Sequence, residues 1–495
     1  MHLPDRSLVD LSQMMDVGAT TAEALVRTYL ERVDAIDRAG PTLRSVLETN
    51  PEALAIAADL DAERRGSGAR GPLHGVPLLL KDNVDTGDAL TTTAGSLALE
   101  GHRAERDAFL VARLREAGAI VLGKANMSEW ANFRSTRSSS GWSSRGGQVR
   151  NPYALDRTPG GSSSGSAVAV AAGLCAAAIG TETDGSITAP ASLVGVVGFK
   201  PTVGLVSRDG IVPIAASQDT AGPLARTVAD AALLLDAIAG SDANDPATAG
   251  VRASATFSSL GARADLRGVR LGVPRACVGI HEAADAVFVR ALEVLRGLGA
   301  EIVEGIELSD RAALGEAERT VLLAEFKAGL NAYLQGHPTA PVRDLDEVVA
   351  FNRRHAQKVM PYFGQELHEA AQRAPGLTDP AYLEALATCR RLARDEGIDR
   401  ALREHRLDAL VAPSRIPAWT IDLIDGDRPF PGCASPAAVA GYPHVSVPAG
   451  FAHGLPIGLS MFAGAFDDAA VLAIAATFER ARGPWRAPTY PERVA

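Results

Sequence analysis

The chain reads as an α/β protein, with one large mixed β-sheet covered by helices in a single domain that carries a helical insertion. Three observations predict this. From about residue 76 onward, short apolar runs alternate with amphipathic helical segments, the pattern of a sheet flanked by helices. Residues 308–406 interrupt that alternation with an Ala-, Leu-, Glu- and Arg-rich stretch that has few strand signals. The strand pattern then returns after Leu407. With 495 residues, 46% of them hydrophobic and 22% charged, the chain has material for a large core and is not of disordered composition.

The elements follow in order. Residues 1–70 read as N-terminal helices. Thr20 and Glu23 form a capping box ahead of Leu25, Val26, Tyr29, Leu30 and Val33 on one face, and Gly40-Pro41 stops that helix. Asn50-Pro51 starts the next one, which ends in the polar run Arg64 to Gly71. Residues 71–307 form the core that would carry the chemistry. There, Val76 to Leu80 is a buried strand ending at Lys81, Asp107 to Ala117 a helix, and Ala119 to Leu122 a strand. Ser135 to Gly147 is a loop, Thr227 to Ala239 a helix, and Val269 to Val273 a strand, with His281-Glu282 opening a surface helix. Residues 407–495 complete the core with strands at Leu410 to Ala412 and His444 to Val447 and a closing helix, Asp467 to Arg480.

Composition excludes several function classes. A net charge of −10 disfavours nucleic-acid binding, because phosphate contact needs a basic face. The longest apolar stretch, Ala167 to Ile179, is broken by Gly173 and is too short to span a bilayer. The N-terminus lacks a basic segment followed by an apolar one, so the expected location is the cytoplasm, a reading that leaves room for an exported precursor. Cys175, Cys277, Cys389 and Cys433 lie far apart with no C-x-x-C, so four free thiols are expected. The ten histidines are scattered with no H-E-x-x-H, so no metal site is expected. Only five lysines occur: Lys81, Lys124, Lys200, Lys327 and Lys358. Arginine carries the ordinary surface charge, which points to lysine being kept where a smaller, deprotonatable head is needed.

The densest chemistry lies between Pro159 and Pro201. Gly160-Gly161-Ser162-Ser163-Ser164-Gly165-Ser166 precedes a helical Ala167 to Ala172, then an apolar strand Cys175 to Ile179, then Gly180-Thr181-Glu182-Thr183-Asp184-Gly185-Ser186-Ile187. Two Ser/Gly loops thus bracket one helix–strand unit. A phosphate loop would end in Gly-Lys-Ser/Thr, and no lysine is present. Gly161 to Gly165 matches the G-x-S-x-G nucleophile elbow, with His444 or His453 available as base, but no strand leads directly into it. A Gly/Ser helix cap without chemistry is the remaining reading.

These two loops together resemble the amidase signature. The resemblance continues in Gly75-Val76-Pro77 with Lys81-Asp82-Asn83, in Gly123 to Met127, in Gly198 to Thr202 and in Asp219 to Arg226. It extends to Ala440 to Pro443, Val447 to Gly450 and Gly454 to Gly458, covering about residues 20–480. The resemblance implies the amidase signature fold and an amidohydrolase with a Ser–cis-Ser–Lys triad, working through an acyl-enzyme and needing no cofactor. Carried over motif by motif, the nucleophile is Ser186, the bridging serine Ser162, preceded by a cis peptide bond, and the lysine Lys81. Backbone N–H groups of Thr183, Asp184, Gly185 and Ser186 would form the oxyanion hole, with Ser163 in support.

The chemistry is coherent in its own right. A serine hydroxyl needs a base within hydrogen-bond reach, and lysine serves only when neutral. Bringing its pKa from about 10.4 to about 7 requires desolvation, which the end of a buried strand supplies. Glycine at 185 lets the backbone approach a substrate, and fixed N–H donors favour the tetrahedral oxyanion.

Glu182, Asp184 and Thr188 depart from the family's usual Asp, Gly and Arg. That variant, with Gly141-Trp142-Ser143 and Gly146-Gly147-Gln148, looks like the bacterial peptide amidase branch, whose members release ammonia from C-terminal peptide amides. An Asp in the oxyanion loop would disfavour a free carboxylate and accept a neutral carboxamide. The alternatives are an amidase of broader aryl or aliphatic amide, ester or carbamate specificity, a glutamyl-tRNA amidotransferase-like subunit, and a non-enzymatic binding protein on an amidase scaffold. The expected partner is a small-molecule or short-peptide amide, with no nucleic acid or membrane, for a monomer or homodimer. Trp130, Trp142 and Trp419 are candidates for the acyl pocket, and Phe326, Asn331 and Tyr333 of the insertion for specificity.

Overall fold

Buried apolar runs become the centre of a wide sheet in this computed structural model, which describes residues 5–251, 256–428 and 432–494. In chain order the strands are β1 (Val46–Thr49), β2 (Pro77–Lys81), β3 (Ile120–Ala125), β4 (Trp142–Ser143), β5 (Gly147–Gln148), β6 (Ala177–Glu182) and β7 (Val197–Lys200). They continue as β8 (Thr220–Ala225), β9 (Arg270–Pro274), β10 (Glu301–Ile306), β11 (Ala409–Pro413), β12 (His444–Ala452) and β13 (Leu455–Phe462). The pair β4–β5 is a separate short ribbon, and the other eleven strands form one sheet in the order β1-β3-β2-β6-β8-β7-β12-β13-β11-β9-β10. The sheet is mixed: β3–β2–β6 and β11–β9–β10 run parallel, and the remaining pairings are antiparallel.

Every residue of β2, β3 and β6 is buried. Strands covered on both faces read as continuous apolar runs rather than as alternation, which is why β2 shows in the sequence as Pro-Leu-Leu-Leu. The helices Ser164–Ala171, Val228–Ile238 and Asp468–Ala481 lie among the elements that cover the sheet, and Thr227 caps the second by accepting from Asp230 N. At the N-terminus the cap is Thr21 rather than Thr20. Its hydroxyl accepts from Ala24 N at 3.1 Å, and Glu23 pairs instead with Arg27 one turn on. β1 stands where only N-terminal helices are expected. It is four residues at the sheet edge, too short to carry an alternation signal.

Between β10 and β11 the chain runs through helices Arg311–Gly336, Leu345–Arg354, Glu366–Gln372 and Pro380–Arg390 and on to His405. Phe326, Leu330 and Leu334 of the longest helix pack into a cluster with Met127 and Trp130 from the core. This helical layer is thereby fixed beside the segment that follows β3. Among the described residues no helix is long and apolar enough to cross a membrane.

The expectation of four free thiols fails. Cys277, in the turn after β9, is bonded to Cys433, and only Cys175 and Cys389 are free, both buried. Spacing along the chain could not reveal a partner 156 residues away. Such bonds are uncommon in a reducing cytoplasm. Closing so long a loop restricts the unfolded chain. Changing both cysteines to serine is expected to cost about 2–5 kcal/mol, read as a lower Tm, and the wild type melted with a reductant should show the same fall. An unchanged Tm in both would show that the bond carries no stability.

Candidate active site

β2 and β6 are parallel neighbours, with Leu80 opposite Ile179, so Lys81 and Thr181 emerge together at the carboxyl ends of the two strands. Ligand crevices in α/β sheets form at such ends. The loop Gly160–Ser163 arrives from the other side, at the N-terminus of the helix Ser164–Ala171. Gly180 allows that approach, since a Cβ there would lie 2.7 Å from Ser163 Oγ.

Lys81 is fully buried. Its Nζ lies 2.7 Å from Ser162 Oγ, 2.8 Å from Thr181 Oγ1 and 3.1 Å from the Thr181 carbonyl. Asn83 Nδ2 also donates to Thr181 Oγ1, at 3.0 Å. Desolvation pulls the Lys81 pKa down from 10.5 to about 7, against the opposing pull of Asp219 and Glu182. That is a bias of about 5 kcal/mol against the ammonium. A neutral amine has two N–H donors and one lone pair. The Thr181 carbonyl can only accept, whereas the Ser162 hydroxyl can donate to the lone pair. The three acceptors around Nζ fit either protonation state, and burial is what favours the uncharged lysine.

The peptide bond Gly161–Ser162 is cis, as expected. The Ser162 carbonyl accepts from Ser128 N at 3.1 Å. Ser163 holds the two Ser/Gly loops together: its Oγ donates to the Thr181 carbonyl at 3.0 Å and accepts from Thr181 N at 3.2 Å, and its N–H donates to the Ser186 carbonyl at 3.1 Å.

Ser186 is 8% exposed and lines a cavity of about 140 Å³ together with Gly160, Gly161, Asp184, Arg415 and Trp419. Among the described residues its hydroxyl makes no hydrogen bond, and the Ser162–Ser186 link expected of a relay is not closed in this structure. Gly185 has φ +79°, a conformation that favours glycine. Among the described residues, the backbone N–H groups of Asp184, Gly185 and Ser186 donate to no protein acceptor. Thr183 is held from both sides, its hydroxyl donating to Asp219 at 2.5 Å and its carbonyl accepting from Gln218 Nε2 at 3.2 Å.

The residues that depart from the usual signature have visible roles. Glu182 Oε2 accepts from Ile187 N (2.7 Å), Thr188 N (2.9 Å) and the Thr188 hydroxyl (3.2 Å), so the unusual pair Glu182 and Thr188 ties down both ends of the loop that presents Ser186. Asp184 accepts from Ser435 Oγ at 2.7 Å. Burial raises its pKa, with Ser435, Arg415 and Arg311 pulling the other way.

A second cavity of about 390 Å³ opens beside the Lys81 end, lined by Asn83, Thr181, Thr183, Ile214 and Tyr333. Of the expected pocket residues, Trp419 lines the Ser186 cavity and Tyr333 the larger one. Trp130 and Trp142 are packed, Trp142 against Phe363 with the Arg134 guanidinium over its ring. Phe326 is buried, and Asn331 Oδ1 accepts from Leu345 N. His444 is buried, with Nε2 2.6 Å from Ser460 Oγ, and burial lowers its pKa to about 3, while His453 sits in the exposed turn between β12 and β13. Neither stands beside the serines as an elbow base would.

Sequence reasoning misses Thr181 as a partner of Lys81, although it lies inside the recognised run. It also misses Arg415 and Asp427, which line the Ser186 cavity from a part of the chain with no local motif.

A protein-family model described as Amidase matches residues 24–472. A probable amidase of Arabidopsis thaliana is 41% identical over 493 residues, covering 97% of this chain and 90% of the relative. A glutamyl-tRNA(Gln) amidotransferase chain of Halorhodospira halophila is 38% identical over 496 residues, covering 97% of each chain. The native peptide amidase from Stenotrophomonas maltophilia is 51% identical in sequence, with a TM-score of 0.93 over 98% of both chains. The peptide amidase PAM in complex with the competitive inhibitor chymostatin is also 51% identical, with a TM-score of 0.95 over 98% of this chain and 99% of the other.

Proposed function

The chain belongs to the amidase family and is an amidohydrolase of the amidase signature fold, and from that premise we propose that it deamidates C-terminal peptide amides through Lys81, Ser162 and Ser186. Most support comes from one contact: the fully buried Lys81 Nζ, 2.7 Å from Ser162 Oγ.

The proposed steps follow from the groups present. Ser186 Oγ attacks the carboxamide carbon. Its proton passes to Ser162 as the Ser162 proton passes to neutral Lys81. The carbonyl oxygen becomes an oxyanion, met by the unengaged backbone N–H groups of the 183–186 loop. Return of the proton through Ser162 to the nitrogen lets the C–N bond break, and ammonia leaves. Water then attacks the acyl-enzyme by the same relay and releases the carboxylate. The Ser162–Ser186 contact forms when substrate brings the Ser186 hydroxyl into line, as catalytic hydrogen bonds often tighten only in the complex.

The substrate class rests on the likeness to peptide amidases and on the lining of the small cavity. Asn132, Ser140, Asp184, Arg415 and Asp427 surround Ser186 with donors and acceptors. A primary carboxamide offers both kinds of group in return, whereas the aryl leaving group of an anilide presents apolar surface. A panel of C-terminal peptide amides against short aliphatic and aryl amides, with ammonia or amine release measured, tests the reading. The peptide amides are expected to turn over fastest with the chain alone. Equal or faster turnover of the aryl set would remove the peptide assignment. A strict requirement for partner subunits would favour an amidotransferase role.

A further inference from the structure

A cluster outside the proposed catalytic groups brings together Asp85, His102 and His337 from three separate stretches of chain. One ligand atom from each lies within 4.8 Å of the other two. Asp85 follows β2, His102 follows the turn Leu97–Leu99, and His337 caps the C-terminus of the long helix Arg311–Gly336. Asp85 and His102 are buried and His337 is half-buried.

The hydrogen bonds around the cluster orient its atoms. His337 Nδ1 is 2.8 Å from the Tyr333 carbonyl, which can only accept, so Nδ1 carries a proton. In the neutral ring, Nε2 then holds a lone pair, and it lies 3.1 Å from Asp85 Oδ2. A lone pair facing a carboxylate at that distance needs a cation between them or a second proton on the ring. The Tyr333 hydroxyl donates to the other Asp85 oxygen at 2.7 Å and lies 3.4 Å from His102 Nε2. His102 Nδ1 is buried with no hydrogen-bond partner among the described residues.

A metal-binding histidine characteristically donates its other N–H to a backbone carbonyl, and a metal-binding carboxylate is itself hydrogen-bonded. His337 and Asp85 have both arrangements. In a tetrahedral zinc site with bonds of about 2.0–2.1 Å, neighbouring ligand atoms stand about 3.3 Å apart, close to the separation of His337 Nε2 from Asp85 Oδ2. Two imidazoles and one carboxylate form a donor set suited to zinc. Lys124 Nζ is occupied elsewhere, donating to the Val84 carbonyl and the Thr92 hydroxyl. Tyr333, which bonds Asp85, also lines the 390 Å³ cavity.

We propose that Asp85, His102 and His337 bind one zinc ion, with water as the fourth ligand, and that the ion pins the long helix to the strand end bearing Lys81. The site takes no part in the serine chemistry and stands independently of the substrate assigned above.

The test uses the full chain stripped of metal with a chelator, then titrated with Zn²⁺ and Co²⁺ and followed by calorimetry and elemental analysis. One equivalent of Zn²⁺ is expected to bind, and Co²⁺ is expected to give the visible absorption of a tetrahedral site. His102→Ala and His337→Ala should each weaken binding by more than tenfold, and Tyr333→Phe by about tenfold through the carboxylate it orients. Zn²⁺ should raise the Tm of the wild type in a concentration-dependent way. If a histidine variant fails to fold, the wild-type titration and Tyr333→Phe still decide. Uptake well below one equivalent, or uptake that no variant changes, would overturn the proposal. So would a His337 that titrates as an imidazolium paired with Asp85 and is indifferent to added metal.

Discussion

Lys81→Met is expected to lower kcat/KM toward a peptide amide by at least about a thousandfold while leaving the chain folded. Methionine keeps the length of the side chain and removes the amine. Ser162 then has no base to receive its proton, and Ser186 reverts to an ordinary alcohol. In the wild type, activity should rise with pH through about 7, where Lys81 loses its proton. The residual activity of the variant should lack that limb.

The same substitution has a signature in stability. Lys81 has a folded pKa near 7 and an ordinary value of 10.5. Between those values the unfolded chain binds the proton and the folded chain does not, so wild-type stability rises with pH across that window. Below about 7 the full cost of burying the ammonium is present. Above 10.5 it is absent. Lys81→Met carries no such cost, so its stability relative to the wild type should be greatest at acid pH and decline as pH rises. The lost hydrogen bonds to Thr181 and Ser162 lower that difference without changing its slope. Thermal melts and pH–rate profiles of both proteins check both statements. A variant with activity within tenfold of the wild type would remove Lys81 from the chemistry.

Lys81 is legible in the sequence for a physical reason. It ends a run of buried apolar residues, and a lysine there has no solvent to reach. Ser162 and Ser186 are visible because each lies in a Gly-rich loop beside a regular element, and glycine is needed where loops approach closely. Gly180, whose Cβ would strike Ser163, is one such case. The parallel pairing of β2 with β6, which brings Lys81 to Thr181, is a tertiary fact with no local mark. β8 is Thr-Ala-Gly-Pro-Leu-Ala, weak in strand propensity, and forms because β6 and β7 pair on either side of it. Arg415 and Asp427 reach the Ser186 cavity from the C-terminal part of the chain, and the Cys277–Cys433 bond joins residues that no spacing rule connects. Glu182 and Thr188 are legible as departures. Their meaning, one carboxylate holding two successive N–H groups, requires the folded loop.

Ser186→Ala is expected to reduce turnover by roughly a hundred-thousandfold or more, the largest single effect, because no other group forms the bond to carbon. Folding should be unaffected. The Ser186 hydroxyl makes no hydrogen bond among the described residues, and the loop is held through backbone atoms and Glu182. Ser162→Ala should cost less, about a hundred- to a thousandfold, since it removes a relay whose place a water between Lys81 and Ser186 can partly take. It also leaves Lys81 with only Thr181 as a partner, which should move the acid limb of the pH profile. A fluorophosphonate, which bonds only to an activated serine, separates these roles. Intact mass spectrometry should show one adduct on the wild type, a slower one on Ser162→Ala and none on Ser186→Ala, with the modified peptide containing Ser186. Labelling at Ser162, or undiminished labelling of Ser186→Ala, would reverse the two assignments, and equal losses for both serine variants would mean that the relay and the nucleophile act as one inseparable unit.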